Sequence, residues 1–280
     1  TDSDSGTIAN NSVVTSANGR ASGGHWTLGT VVGTNTLTAS FTHLGTTTAT
    51  EFTATSTPDV AVSLTRVQDV NVSGSNTNTT VEAVTAHTAI VVAKDQFDNV
   101  VPGTTVTYSV VDGGGFLDDS GSHVTTYSLA TNAQGQAESL VWTVGTSSGL
   151  NRLKASISVS VFINFDTTAI PSSASTITTL ISSNAGSLIA NGTATTVVTV
   201  TLRDSHENVI TANADDTVSM SITSGTGTIS SVAISGGNYI AIFTSGTVSG
   251  QVIIAANLNG STIAQQATIT LVAGPATKLG

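Results

Sequence analysis

The strongest constraint on how this chain folds is a repeat within its own sequence. Thr15-Ser-Ala-Asn-Gly-Arg-Ala21 returns as Thr131-Asn-Ala-Gln-Gly-Gln-Ala137, an offset of 116 residues (from 15 to 131). Trp26-Thr-Leu-Gly-Thr30 returns at the same offset as Trp142-Thr-Val-Gly-Thr146. Two separate motifs that share one offset indicate a tandem array of similar units rather than one large domain.

A second pair of motifs extends the array toward the end of the chain. Lys94-Asp-Gln-Phe-Asp-Asn-Val-Val101 is matched by Arg203-Asp-Ser-His-Glu-Asn-Val-Ile210. A proline opens each new unit, at positions 58, 171 and 275. The predicted division is therefore the carboxyl-terminal half of a repeat at 1–57, a complete repeat at 58–170, a complete but more divergent repeat at 171–273, and the start of a further repeat at 274–280.

The composition predicts that these units are built from strands. Charged residues make up 9% of the chain, against about 25% in typical domains, and Ser, Thr, Asn and Gly take their place. Short runs of alternating apolar residues, separated by Gly, Asn and Asp, are typical of strands joined by turns. In the middle unit the predicted strands lie near 60–67, 80–94, 104–110, 124–130, 136–144, 151–159 and 160–167. About seven short strands in about 110 residues is the size of an immunoglobulin-like β-sandwich, so the predicted class is all-β.

Three motifs together resemble a known family. They are Asp-x-x-x-Asn followed by Val-Val or Val-Ile, Asn/Gln-Gly-x-Ala, and Trp-Thr-x-Gly-Thr, each quoted above. The combination is similar to the bacterial immunoglobulin-like repeats of invasin-type and intimin-type surface proteins. The resemblance implies tandem β-sandwiches that serve mainly as spacers and share no catalytic residues. The third unit departs from the pattern, because Tyr239-Ile-Ala-Ile-Phe243 stands where the Trp motif is expected.

The first segment matches only the second half of a unit, which leaves two hypotheses. Either the polypeptide continues upstream, or strands from another copy complete the sandwich by strand addition. We favour continuation, because residues 273–280 are too few to supply the missing sheet.

Charge and motif content exclude several classes of function. The net charge of -10, with seven Lys and Arg in the whole chain, argues against nucleic-acid binding. The five histidines show no metal-ligand spacing such as His-x-x-x-His, and no nucleophile motif leads into a helix. No apolar stretch approaches the roughly 18 residues that a membrane span needs. We therefore expect no enzyme, no cofactor and no membrane span in this segment.

Paired carboxylates offer a candidate metal site. They occur at Asp2 and Asp4, at Asp118 and Asp119, and at Asp215 and Asp216. Because linked surface repeats can use Ca²⁺ to stiffen the junctions between them, Asp118 and Asp119 are the calcium candidates. The preferred alternative is that these charges keep a chain poor in Lys and Glu soluble.

Two further features have a structural and a functional interpretation. Asp95 with Asn99, and Asp204 with Asn208, could form a repeated binding turn, but the preferred interpretation is a local turn held by Asp and Asn side chains. Trp26 and Trp142 recur at one repeat position, which favours packing between the sheets over ligand stacking.

The sequence thus predicts an extracellular or cell-surface array that acts as a stalk or filament. Its expected partners are neighbouring repeats of the same chain or other copies of itself. The alternatives are an adhesive module for a host receptor or glycan, and a filament subunit assembled by strand complementation.

Overall fold

In a computed structural model, residues 6–70 and 78–275 are described, and every regular element among them is a β-strand. The predicted pair Asp2 and Asp4, and residues 276–280 of the predicted last segment, lie outside this range. The described part of the first unit has the strands β1 (Thr7–Ile8), β2 (Trp26–Thr27), β3 (Gly33–His43) and β4 (Thr46–Ser56). Strands β3 and β4 form a long antiparallel hairpin, which pairs with no other strand among the described residues.

The middle unit is a sandwich of facing sheets. Its strands are β5 (Ser63–Gln68), β6 (Asn78–Thr80), β7 (Ile90–Lys94), β8 (Thr105–Asp112), β9 (Phe116–Asp119), β10 (Ser122–Val124), β11 (Thr126–Ala130), β12 (Gln136–Glu138), β13 (Val141–Thr143), β14 (Gly149–Ser156) and β15 (Phe162–Ile170). One sheet has the order β11-β8-β14-β15-β6, and two three-stranded sheets have the orders β12-β7-β5 and β10-β9-β13.

The third unit has two sheets. Its strands are β16 (Leu180–Ser183), β17 (Ser187–Ile189), β18 (Thr195–Thr201), β19 (Val218–Ser224), β20 (Gly227–Ile229), β21 (Ala233–Ser235), β22 (Asn238–Ser245), β23 (Gly250–Leu258) and β24 (Ser261–Val272). The sheet orders are β16-β18-β22-β20, with β21 also paired to β22, and β17-β24-β23-β19. The all-β, immunoglobulin-like class predicted from composition and strand spacing is confirmed.

Each complete unit has a separate apolar core. In β14 the buried positions alternate, at Asn151, Leu153 and Ala155, because successive side chains in a strand point to opposite faces. Trp142 is fully buried in the core of the middle unit, as predicted. Its partner in the repeat, Trp26, is only half-buried.

The predicted strand 80–94 is wrong, because only Ile90–Lys94 and the end of β6 are strand. A turn interrupts it, with Glu82 at a φ of 61° and the N–H of Ala83 bonded to the carbonyl of Thr80. The predicted strand 136–144 is also broken, because the buried hydroxyl of Ser139 accepts the N–H of Ala89 in place of a regular ladder bond.

The first unit has the strands of a sandwich half but not the facing sheet among its described residues. Leu37 pairs with Phe52 across the β3–β4 hairpin, as Leu153 pairs with Phe165 across β14 and β15. Phe165 is 0% exposed and Phe52 is 54% exposed. The hairpin position that is part of the core in the middle unit, Phe165, is therefore exposed to solvent in the first unit, where it is Phe52.

Candidate functional site: the junctions between units

Both Asp-x-x-x-Asn motifs form the same tight turn. One carboxylate oxygen of Asp95 accepts the N–H of Phe97 at 2.8 Å and the N–H of Asn99 at 3.0 Å. Asp98 adopts a φ of 68°, a left-handed conformation that Asp tolerates better than most residues. The preferred interpretation of this motif as a turn held by the Asp side chain is confirmed.

The second motif reproduces this geometry. Asp204 accepts the N–H of His206 at 2.9 Å and the N–H of Asn208 at 3.0 Å. Glu207 has the same φ of 68° that Asp98 has in the first turn. The two turns are thus equivalent in hydrogen bonding as well as in sequence.

The other carboxylate oxygen of each Asp holds the segment that joins two units. Asp95 Oδ2 accepts the N–H of Asp59, the residue after Pro58, at 3.1 Å. In the same way Asp204 Oδ2 accepts the N–H of Ser172, the residue after Pro171, at 3.0 Å. Each Asp therefore fixes its own turn and the start of its unit at once.

These contacts shift the pKa of both carboxyl groups. Burial raises the pKa of Asp204, but hydrogen bonds from the Asn208 side chain and from the N–H groups of Ser172, Asn208 and His206 lower it more, and the net pKa is below the ordinary 3.8. The pKa of Asp95 is lowered by the same balance of opposing causes. The charged form of each Asp is the one that the fold stabilises.

The Asn of each turn reaches out of its own unit. Asn99 Nδ2 donates to the carbonyl oxygen of Thr30 at 2.8 Å, and its Oδ1 accepts the N–H of Val32 at 3.1 Å. Nδ2 also donates to Asp95 at 3.0 Å. A single side chain thus clamps a loop of the first unit to the turn of the second.

The second junction carries the same clamp. Asn208 Nδ2 donates to the carbonyl oxygen of Thr146 at 2.7 Å, and Oδ1 accepts the N–H of Ser148 at 2.8 Å. Nδ2 also donates to Asp204 at 2.8 Å. Thr146 and Ser148 occupy the repeat positions of Thr30 and Val32, at the offset of 116 residues found in the sequence.

The loop that receives the Asn is held rigidly by its own unit. Asn151, fully buried, accepts the N–H of Gly145 through Oδ1 at 2.9 Å, and Asn35 does the same for Gly29 at 3.0 Å. A Cβ atom at Gly145 would lie 1.7 Å from the carbonyl oxygen of Gly113, so only glycine fits there. The receiving carbonyl and N–H groups are therefore placed before the Asn meets them.

One additional contact crosses the second junction. His206 Nε2 lies 2.8 Å from Glu82 Oε2. Phe97 holds the equivalent position in the first turn, so this contact has no counterpart at the first junction.

Sequence reasoning found both halves of the junction but not the contact between them. The Asp-x-x-x-Asn motif predicts a local turn, and the Trp-Thr-x-Gly-Thr motif indicates a repeat, but neither motif by itself predicts a contact with the other. The sequence does contain one indication of the contact: both motifs recur together. In each case the Asp-x-x-x-Asn motif comes after a Gly-Thr loop that belongs to the preceding unit. That pairing indicates two surfaces that meet.

The calcium candidates are the last two residues of β9, next to the turn that leads to β10. Asp118 Oδ1 accepts the N–H of Gly121 at 2.8 Å, and Asp119 is exposed. Within residues 6–70 and 78–275, no group of three or more His, Cys, Asp or Glu side chains is placed to hold a metal ion. Calcium binding by Asp118 and Asp119 stays a prediction.

A search of the described part of the chain for a helix of the length and apolarity that a bilayer span requires finds none.

Solved structures that resemble the chain include bacterial adhesins. FdeC, an Escherichia coli adhesin, is 22% identical with a TM-score of 0.45, over 78% of this chain and 67% of FdeC. Yersinia pseudotuberculosis InvE is 33% identical with a TM-score of 0.33, over 36% of this chain and 28% of InvE. Invasin, described as a bacterial integrin-binding protein, is 18% identical with a TM-score of 0.35, over 77% of this chain and 40% of invasin.

Comparison with curated protein sequences finds no match. A family model does match: residues 172–274 fit the family described as invasin, domain 3. This is the divergent unit without the Trp motif, and the matched range begins one residue after Pro171. The resemblance to invasin-type and intimin-type repeats is thereby confirmed, and residues 172–274 match a domain of the invasin family.

Proposed function

We propose that this chain is a stiff segment of an extracellular stalk, in which Asn clamps lock successive β-sandwich units end to end. The observation that carries the proposal is the identical contact of Asn99 and Asn208 with the preceding unit. The match of residues 172–274 to an invasin domain supports a place on the cell surface. The proposal includes no catalytic activity.

The energies suit a mechanical role. Each clamp adds two hydrogen bonds between units, and a hydrogen bond contributes about 1 kcal/mol net. That is small beside the stability of a folded unit, but it is enough to favour one orientation of neighbouring units over the many that a free linker allows. The Asp contact to the residue after the proline shortens the free part of the linker further.

Distance measurement between spin labels tests the clamp directly. The chain has no Cys, so cysteines introduced at the exposed positions Thr126 and Gln266 are the only labelling sites. We expect a narrow distance distribution in the parent chain and a broader one after Asn208→Ser. The matched control is Asn184→Ser, an exposed Asn outside the junction. Equal widths in the parent and Asn208→Ser chains would contradict the proposal.

A filament subunit completed by strands from another copy is the second candidate. The exposed Phe52 supports it, because its counterpart Phe165 is fully buried by the facing sheet. Electron microscopy of the purified chain decides between the candidates. Long fibres would favour strand complementation, and separate short rods would favour the stalk.

An adhesive module for a host receptor or glycan has less support. Binding surfaces concentrate aromatic anchors at one place. Here the exposed phenylalanines are distributed over the first two units, at Phe41, Phe52, Phe97 and Phe162.

A further inference from the structure

The loop at the far end of the third unit has the same form as the two loops that receive an Asn. Each loop has the sequence Gly-Thr-x-x-Gly, and the three copies are Gly29-Thr-Val-Val-Gly33, Gly145-Thr-Ser-Ser-Gly149 and Gly246-Thr-Val-Ser-Gly250. Each joins a strand of one sheet to the next strand along the chain, and its last Gly begins that strand. The resemblance holds although the third unit lacks the Trp that precedes the other two loops.

The backbone of the third loop supports the equivalence. The last Gly of the three loops has a φ of 140°, 109° and 146°, a conformation that side chains other than glycine rarely adopt. The first Gly is closely packed in the second and third loops: a Cβ at Gly145 would lie 1.7 Å from the carbonyl oxygen of Gly113, and one at Gly246 would lie 2.3 Å from Oγ1 of Thr226. The carbonyl of Gly246 accepts the N–H of Gly192, as that of Gly145 accepts the N–H of Glu82.

The two groups that would receive an Asn are accessible in the third loop. Thr247 and Ser249 correspond to Thr146 and Ser148, and both are exposed. Within the described residues, neither the carbonyl of Thr247 nor the N–H of Ser249 has a hydrogen-bond partner. A proline comes after the last strand of each of the two units: Pro171 directly follows β15, and Pro275 comes three residues after β24.

We propose that the Gly246–Gly250 loop is a docking site for the Asp-x-x-x-Asn turn of a further β-sandwich unit that follows Pro275. The Asn of that turn donates to the carbonyl of Thr247 and accepts the N–H of Ser249. A second copy of this chain does not supply the turn, because Asn99 and Asn208 are both engaged within their own chain. This inference rests on the proposed function, since it extends the same clamp to a third junction.

Amide hydrogen exchange tests the site in a chain that carries residues 172–274 a second time after Pro275. The added unit presents a second copy of Asn208 to the loop. We expect the N–H of Ser249 to exchange at least about tenfold more slowly in this chain than in one with Asn208→Ser in the second copy only. Asn184→Ser in the second copy is the matched control and should leave the exchange of Ser249 slow.

The N–H of Ser148, bonded to the first copy of Asn208, separates the two proposals. Fast exchange at Ser249 beside slow exchange at Ser148 would overturn the docking site and leave the clamp standing. Fast exchange at both would overturn both. Slow exchange of the core amide of Ile254 in both copies shows that the added unit has folded. Should it not fold, residues 59–170 after Pro275 present the Asn99 turn to the same loop for the same comparison.

Discussion

The side-chain nitrogen of Asn208 lies 2.7 Å from the carbonyl oxygen of Thr146, 62 residues earlier in the chain and in a different unit. The same pair occurs at the first junction as Asn99 and Thr30, at 2.8 Å. A contact that recurs with both its partners indicates that the units are joined in a set geometry. The turn behind it depends on a buried carboxylate, which makes the junction sensitive to acid.

We expect the third unit to lose stability in acid through Asp204. Its pKa in the folded state is below the ordinary value, so its contribution is complete above the unfolded pKa of about 3.9 and is lost as the pH falls through the folded pKa. Asp204→Asn should cost about 2 kcal/mol at pH 7, because a hydrogen-bonded carboxylate is lost. The Asp204→Asn chain should also lose less of its free energy of unfolding between pH 7 and pH 3 than the parent chain does.

Urea unfolding at pH 7 and pH 3 measures this effect. The matched control is Asp119→Asn, at an exposed carboxylate. An acid dependence of equal size in the parent and Asp204→Asn chains would show that the junction carboxylate does not control it.

The two phenylalanines at equivalent hairpin positions should differ sharply in their contribution to stability. Phe165 is 0% exposed, and its replacement by Ala leaves a cavity that costs about 3–5 kcal/mol. Phe52 is 54% exposed, so Phe52→Ala should cost less than about 1 kcal/mol. Thermal unfolding of the two variants beside the parent chain gives the comparison. A cost at Phe52 as large as that at Phe165 would mean that another copy or segment covers the first unit in solution.

The fold could be predicted because its signals are local. Alternation of apolar residues with turn residues predicted β14 and the all-β class. The error at 80–94 arose because alternation does not reveal the left-handed conformation of Glu82 that ends the extended run.

The Asn clamp could not be derived in the same way. Asn is common in turns whether or not its side chain also contacts another unit. The groups that it binds are backbone atoms, which every residue type has, so the sequence does not identify them. What the sequence did contain was the joint recurrence of two motifs. The receiving loop of the third unit was missed because its Gly-Thr-x-x-Gly lacks the Trp that drew attention to the other two.

The hydroxyl of Tyr108 should stabilise the middle unit and make it sensitive to alkali. Tyr108 is fully buried, and the single proton of its hydroxyl lies between the carbonyl oxygens of Ala89 at 3.1 Å and Ala137 at 2.9 Å. Burial raises its pKa, so its stabilisation is present below the unfolded pKa of about 10 and is lost as the pH rises toward the folded value.

Tyr108→Phe should therefore cost about 1–2 kcal/mol at pH 7, because the buried hydrogen bond from the hydroxyl is lost. It should also weaken the loss of stability above pH 10. Tyr127→Phe, at the half-buried residue paired with Tyr108 across the strands, is the control. Guanidinium unfolding at pH 7 and at about pH 11 measures both effects. An unchanged alkaline loss in Tyr108→Phe would assign it to another group.

Removal of divalent ions should leave the middle unit as stable as before. Ca²⁺ takes six to eight oxygen ligands, whereas Asp118 and Asp119 supply at most four carboxylate oxygens, and one of these already accepts the N–H of Gly121. We expect the melting temperature to change by less than about 1 °C on addition of a chelator, since a ligand stabilises only the state that it binds. Asp118→Asn and Asp119→Asn chains, melted with and without Ca²⁺, are the matched comparison. A melting temperature that falls with chelator, recovers with Ca²⁺ but not with Mg²⁺, and no longer responds in these variants would establish the calcium site and give the hairpin a role in stiffening the unit.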